Sequence, residues 1–96
     1  MIDSEQLDAF LELKERLSFT RVAEARNLTQ PAIHLQIQKL SQALDVVLYR
    51  RVGRGLEITR EGWIVARHAR EARERAAQLS AELAGGARAP RIVLAA

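Results

Sequence analysis

Residues 18–62, SFTRVAEARNLTQPAIHLQIQKLSQALDVVLYRRVGRGLEITREG, decide the reading of this chain. Ser18 fits a helix N-cap, because its hydroxyl can accept from a backbone N–H one turn on, and Val22 and Ala23 then face inward on a helix of about two turns. Arg26-Asn27 ends it, since asparagine tolerates the left-handed conformation of a tight turn. Thr29 is a second N-cap, and Pro31 lies in the first turn that follows, where a missing N–H costs nothing and a preset φ favours the helix. From Ile33 the apolar steps to Ile37, Leu40 and Leu44 are four, three and four residues, one buried stripe. The opposite arc holds Pro31, His34, Leu35, Gln38 and Gln42, with Gln30 and Lys39 at its margins, all free to meet a partner. Two short helices joined by a tight turn, the second polar near its start, form a helix-turn-helix whose second helix suits a DNA major groove.

After Asp45 the pattern changes. Val46-Val47-Leu48-Tyr49 is β-prone, Gly53-Arg54-Gly55 is a turn, and Leu56-Glu57-Ile58 returns with alternating polarity, so residues 46–58 read as a small hairpin, or wing. Arg50 and Arg51 on its incoming arm and Arg54 at its tip place three guanidinium groups where they can lie along phosphates or enter a minor groove. Upstream, Leu7, Phe10, Leu13 and Leu17 fall on one face of a scaffold helix from about Asp3 to Leu17. Downstream, Thr59 caps a helix from Arg60 to about Ala84, roughly 37 Å at 1.5 Å per residue, ending before Gly85-Gly86. Along it Val65, Ala69, Ala72, Ala76, Leu79 and Leu83 recur at alternating four and three residues, the spacing of a coiled-coil seam. A twofold dimer through that seam presents two recognition helices; a lone solvated helix is the plainer alternative and leaves its leucines exposed.

Composition narrows the function classes. The chain has 96 residues and no cysteine, which suits one small domain without disulfides or thiolate metal sites. Its net charge of +3 is unremarkable, but the distribution is uneven. The first twenty residues carry Asp3, Glu5, Asp8, Glu12 and Glu15 against Lys14 and Arg16. Residues 21–60 carry Arg21, Arg26, Lys39, Arg50, Arg51, Arg54 and Arg60 against Glu24, Asp45 and Glu57, so the positive excess falls on the motif. Neither a signal segment nor an apolar run of membrane length is visible, and a cytoplasmic protein is expected. His34 and His68 lie on different helices with no nucleophile, carboxylate pair or metal-ligand spacing beside them, so neither an enzyme, a metal site nor a cofactor is expected. Glu71 and Glu74 beside arginines read as helix-stabilising ion pairs.

These residues resemble the LysR-type transcriptional regulators. Leu7 and Phe10, Ser18-Phe19-Thr20, Ala23-Glu24, Gln30-Pro31-Ala32-Ile33, Gln36-Ile37, Leu40, Leu44, Val46, Leu48-Tyr49, Arg51, Gly53-Arg54-Gly55 and Ile58-Thr59 with Gly62 follow that family's order and spacing. The resemblance implies a mainly α fold: a winged helix-turn-helix of three helices and a two-stranded wing over residues 1–59, a linker and dimerisation helix over 60–84, and a hinge with the possible start of an effector domain over 85–96. It further implies a bacterial transcription factor that binds double-stranded DNA at an interrupted inverted repeat, as a homodimer or tetramer. Arg91-Ile92-Val93-Leu94 resembles the first strand of the family's effector domain, so a small-molecule effector would act only through a domain beyond this chain.

Departures from the family pattern cluster on the reading arc, where His34 replaces a small serine and Leu35 a basic residue. Arg26 stands for a leucine, Ser41 for a glutamate, and Asp45 for the glycine that closes the recognition helix. The expected DNA-contacting set is Ser18, Thr29, Gln30, Pro31, His34, Leu35, Gln38, Lys39, Arg50, Arg51 and Arg54. Gln30 suits an adenine edge, Pro31 and Leu35 a thymine methyl, His34 a guanine acceptor, and Thr29 with the helix N-terminus a phosphate. Leu35 in place of a basic residue favours a relaxed or A·T-leaning half-site. The competing reading is a protein-interaction module, in which the long helix pairs with another protein and the winged motif is only its scaffold.

Overall fold

The computed structural model describes residues 2–86. Among them are four helices, α1 (Ser4–Arg16), α2 (Phe19–Arg26), α3 (Gln30–Leu44) and α4 (Arg60–Gly86), and one antiparallel hairpin of β1 (Tyr49–Val52) and β2 (Gly55–Ile58). This is the expected winged helix-turn-helix with a long C-terminal helix.

Local chemistry sets most boundaries. Asp3 caps α1 by accepting from the Glu5 N–H at 2.8 Å, Ser18 caps α2 by accepting from Arg21 at 3.2 Å, and Thr29 caps α3 by accepting from Ala32 at 3.2 Å. The first three helices each end on a left-handed residue, Leu17 (φ 53), Asn27 (φ 58) and Asp45 (φ 55). Leu17 therefore does not complete the buried face of α1. As the C-cap it turns outward and is 43% exposed, while Phe10 and Leu13 are fully buried and Leu7 partly so.

The core joins all four helices, with Phe10, Leu13, Val22, Ile33, Ile37, Leu40 and Leu48 as its largest enclosed side chains. Thr59 ties the wing to α4. Its N–H donates to the Leu48 carbonyl at 3.1 Å, its hydroxyl donates to the Val47 carbonyl, and its Oγ1 accepts from Gly62 at 2.9 Å. The Ser41 hydroxyl meanwhile takes the Val46 carbonyl. Residues 46–48 are consequently not strand, and the wing's ladder begins at Tyr49, three residues later than β-propensity indicates. With Val52 paired to Gly55, the loop is a two-residue Gly53-Arg54 turn with positive φ at Gly53 (φ 58).

α4 continues through Gly86 rather than stopping near Ala84. Its first three turns belong to the core, where Gly62, Ala66 and Ala69 are buried and Val65 packs against them. An Arg73–Asp8 ion pair at 2.8 Å closes the contact with α1. Beyond Arg70 every side chain through Ala84 is exposed, and the molecule is 60 Å long against 27 and 20 Å across. The predicted seam thus divides. Val65 and Ala69 are used by this chain's own core, whereas Ala72, Ala76, Leu79 and Leu83 remain uncovered. The suggested strand at Arg91–Leu94 lies outside the described residues.

Candidate nucleic-acid interface

The outer arc of α3 carries Gln30, Pro31, Leu35, Gln38, Lys39 and Gln42, all exposed. Leu35 is 49% exposed, a large apolar side chain on a face otherwise made of glutamines, Lys39 and Pro31. Gln30 is already oriented: its Nε2 donates to Thr20 Oγ1 at 3.0 Å. That bond leaves Oε1 and one N–H, the acceptor and donor that a two-point contact with an adenine edge uses. Thr20 therefore supports the interface from the first turn of α2, a role that no local spacing signals.

Strand register sorts the arginines. Tyr49 pairs with Ile58 and Arg51 with Leu56, and since alternate residues share a face, Tyr49, Arg51, Leu56 and Ile58 form the wing's inner side. Arg50 lies on the outer side across from Glu57, and Arg54 is at the tip. The three guanidinium groups accordingly leave the hairpin in different directions. Arg51, though exposed, lies over the Phe19 ring, 5.6 Å from its centre.

His34 is also less free than its place on the helical arc suggests. It is half-buried and stacks on Phe19 with ring centroids 3.8 Å apart and planes 8° from parallel. Burial first, and the Arg51 charge second, hold its pKa below the ordinary imidazole value. Two depressions flank this stack. One runs between α3 and the start of the wing, with Gln38, Gln42, Tyr49 and Arg51 in its walls. The other lies where α2, α3 and the hairpin meet, with Ser18, Thr20, Gln30, Arg51 and Arg54 in its walls. His34 borders both, and no carboxylate lines either. Surfaces rich in donors and empty of acids suit a polyanion. Of the expected DNA contacts, Ser18, Gln30, His34, Gln38, Arg51 and Arg54 line these depressions, Thr29, Pro31, Leu35 and Lys39 lie at the start and along the exposed arc of α3, and Arg50 stands apart across from Glu57.

The match to known proteins follows the same residues. Residues 4–63 fit the family model of the bacterial regulatory helix-turn-helix proteins, lysR family. This chain belongs to the LysR family. The HTH-type transcriptional regulator PcaQ of Agrobacterium fabrum is 40% identical over 63 residues, covering 66% of this chain and 20% of PcaQ. The SDS degradation transcriptional activation protein of a Pseudomonas species is 43% identical over 70 residues, covering 73% of this chain and 23% of that protein. The chain thus spans about a fifth of the length of such LysR relatives. Among solved structures, the BenM DNA-binding domain in complex with catB site 1 DNA superposes with a TM-score of 0.82 at 27% identity, over 90% of this chain and 96% of that one. Full-length CbnR with its target DNA gives 0.80 at 31% identity, over 90% of this chain and 30% of CbnR. The fold is the winged helix-turn-helix DNA-binding domain of the LysR family.

Away from this interface, Trp63 at the start of α4 is 54% exposed, with the Lys14 ammonium 5.6 Å from its ring centre. Sequence patterning passed over this pair. Among the described residues, no cluster of three or more His, Cys, Asp or Glu suits a metal ion, and no helix is long and apolar enough to cross a membrane.

Proposed function

We propose that this chain is the sequence-specific DNA-binding part of a cytoplasmic bacterial transcriptional regulator, with α3 in the major groove and the wing on the backbone or minor groove. One observation carries the reading: the exposed arc of α3 is continuous with two acid-free depressions walled by Arg51 and Arg54. The relatives solved with DNA support it, since they share this fold.

In the proposed complex Gln30 reads an adenine edge, while Pro31 and Leu35 meet thymine methyl groups and Gln38 lies further along the groove. Thr29 and Ser18 hydroxyls, Lys39, Arg50 and Arg54 hold phosphates and set the register. Leu35 offers neither donor nor charge, which favours an A·T-leaning half-site. Ala72, Ala76, Leu79 and Leu83 form the homodimer seam, and the twofold axis gives an inverted repeat. The regulator's effector response and any tetramer belong to segments beyond residue 86. In this reading the chain binds rather than catalyses.

Salt dependence tests it against pairing with a protein through α4. If Lys39, Arg50 and Arg54 of both protomers each neutralise one phosphate, affinity falls about a thousand-fold between roughly 50 and 200 mM salt. Binding that barely changes over that range would contradict phosphate contact and favour the apolar seam as the functional surface.

A further inference from the structure

His34 differs from every other side chain on the outer arc of α3 in being held by an aromatic stack. Phe19 covers one ring face at 3.8 Å, Arg51 lies over the Phe19 ring, and Tyr49 meets Phe19 edge-on with centroids 5.3 Å apart. The imidazole is thereby fixed at the junction of recognition helix and wing. Stacking engages the face of the ring and leaves its nitrogen edge, and among the described residues no side-chain hydrogen bond uses Nδ1 or Nε2.

The charged surroundings are one-sided. From β1 the ring faces Tyr49 and Arg51, and from the hairpin turn Arg54. α2 contributes Ser18, Phe19 and Thr20, β2 contributes Gly55 and Leu56, and its own helix contributes Gln30 and Gln38. No carboxylate lines either depression, and burial first, then the Arg51 charge, hold the imidazole pKa below its ordinary value. A DNA strand would bring the missing charge. A phosphate seated against Arg51 and Arg54 offsets the guanidinium field and offers an oxygen to an imidazolium N–H, a charge-assisted hydrogen bond.

We propose that His34 is a proton-linked DNA contact, neutral in the free protein and protonated against a backbone phosphate, so that DNA binding takes up a proton at this ring. The proposal rests on the DNA-binding reading above and adds to it a role that neither base reading nor packing supplies. Its sign is definite. Because protonation is easier in the complex than in the free protein, affinity rises as pH falls through the bound-state pKa and levels off below the free-state pKa, by up to about ten-fold per pH unit per protomer. Fold stability moves the other way: a histidine harder to protonate when folded contributes fully above its unfolded pKa, and that contribution is lost as pH falls through the folded one.

The chain's two histidines make the test direct. The ring-proton NMR signals of His34 and His68 are followed across the imidazole titration range in the full chain, free and with random-sequence duplex DNA at fixed low salt. Affinity for the same duplex is measured at each pH. The expected result is a His34 midpoint that starts below the ordinary imidazole value and rises by about a unit or more on binding. His34→Gln then binds with pH-independent affinity, and His68→Gln keeps the wild-type dependence. A His34 midpoint that stays put or falls in the complex overturns the proposal, as does a pH dependence that survives in His34→Gln. A chain whose signals ignore the duplex at every pH overturns the DNA-binding reading itself. The wild-type titration decides even if a substituted chain fails to fold.

Discussion

Gly62→Ala should destabilise the domain although it puts a better helix former into α4. Alanine is favoured over glycine in a helix interior by about 1 kcal/mol. Gly62, however, is buried where four segments meet: a Cβ there would sit 2.6 Å from Ile58 Cγ2, 3.2 Å from Phe10 Cζ, and closer still to the Leu48 carbonyl oxygen. Ile58 and Phe10 have side chains that can shift. Leu48 O is backbone and also accepts from the Thr59 N–H, so relieving that clash means moving the segment of residues 46–48, which leads into β1, away from α4. Overpacking of this kind costs about 1–3 kcal/mol, with the upper end expected because backbone must move. After the propensity gain, the net loss is roughly 1–2 kcal/mol. At about 4–8 °C per kcal/mol for a domain of this size, Tm should drop by roughly 5–15 °C. Thermal unfolding followed by circular dichroism measures it. An unchanged or raised Tm would refute the close packing of α4 on the wing and on α1, and with it the fixed placement of the wing beside α3.

Other perturbations address separate parts of the account. Asp45→Gly should stabilise the fold by about 0.5–1 kcal/mol, because Asp45 holds φ 55 and ψ 48, where a Cβ is disfavoured; a loss in denaturant unfolding would show that its side chain contributes more than the strain costs. Arg54→Glu should weaken binding to many duplexes alike and make its salt dependence shallower, whereas a loss confined to one base pair would make Arg54 a base reader. Leu79→Glu should dissociate the dimer in sedimentation while leaving monomer unfolding within about 0.5 kcal/mol of wild type, since Leu79 is 58% exposed. A dimer unaffected by that change would move the interface off the α4 seam.

Where a single residue's chemistry suffices, the fold was legible in the sequence. Ser18, Thr29 and Thr59 cap the helices they were expected to cap, Asn27 takes the left-handed turn, and the stripe Ile33, Ile37 and Leu40 is buried. What escaped depends on residues distant in the chain. Val46, Val47 and Leu48 have strand propensity, but their carbonyls are claimed by Ser41 and Thr59. Leu17 has the spacing of a core residue yet serves as a cap, because the chain reverses there. Val65 and Ala69 carry the same repeat as Leu79 and Leu83, and only the position of α1 determines which of them are covered. The interface followed the same division. Periodicity identifies the exposed arc of α3, whereas the stack joining Phe19, His34 and Arg51 spans three elements and has no local signature.

Base reading by α3 is tested by selecting bound duplexes from a randomised DNA pool, with Gln30→Ala carried through in parallel. Enrichment of an interrupted inverted repeat with an A·T-leaning half-site is expected. Gln30→Ala should lose about 1–3 kcal/mol on that site and blur one position in each half. A pool that shows no enriched sequence, or a G·C-rich half-site unaltered by Gln30→Ala, would contradict base reading by the outer arc of α3.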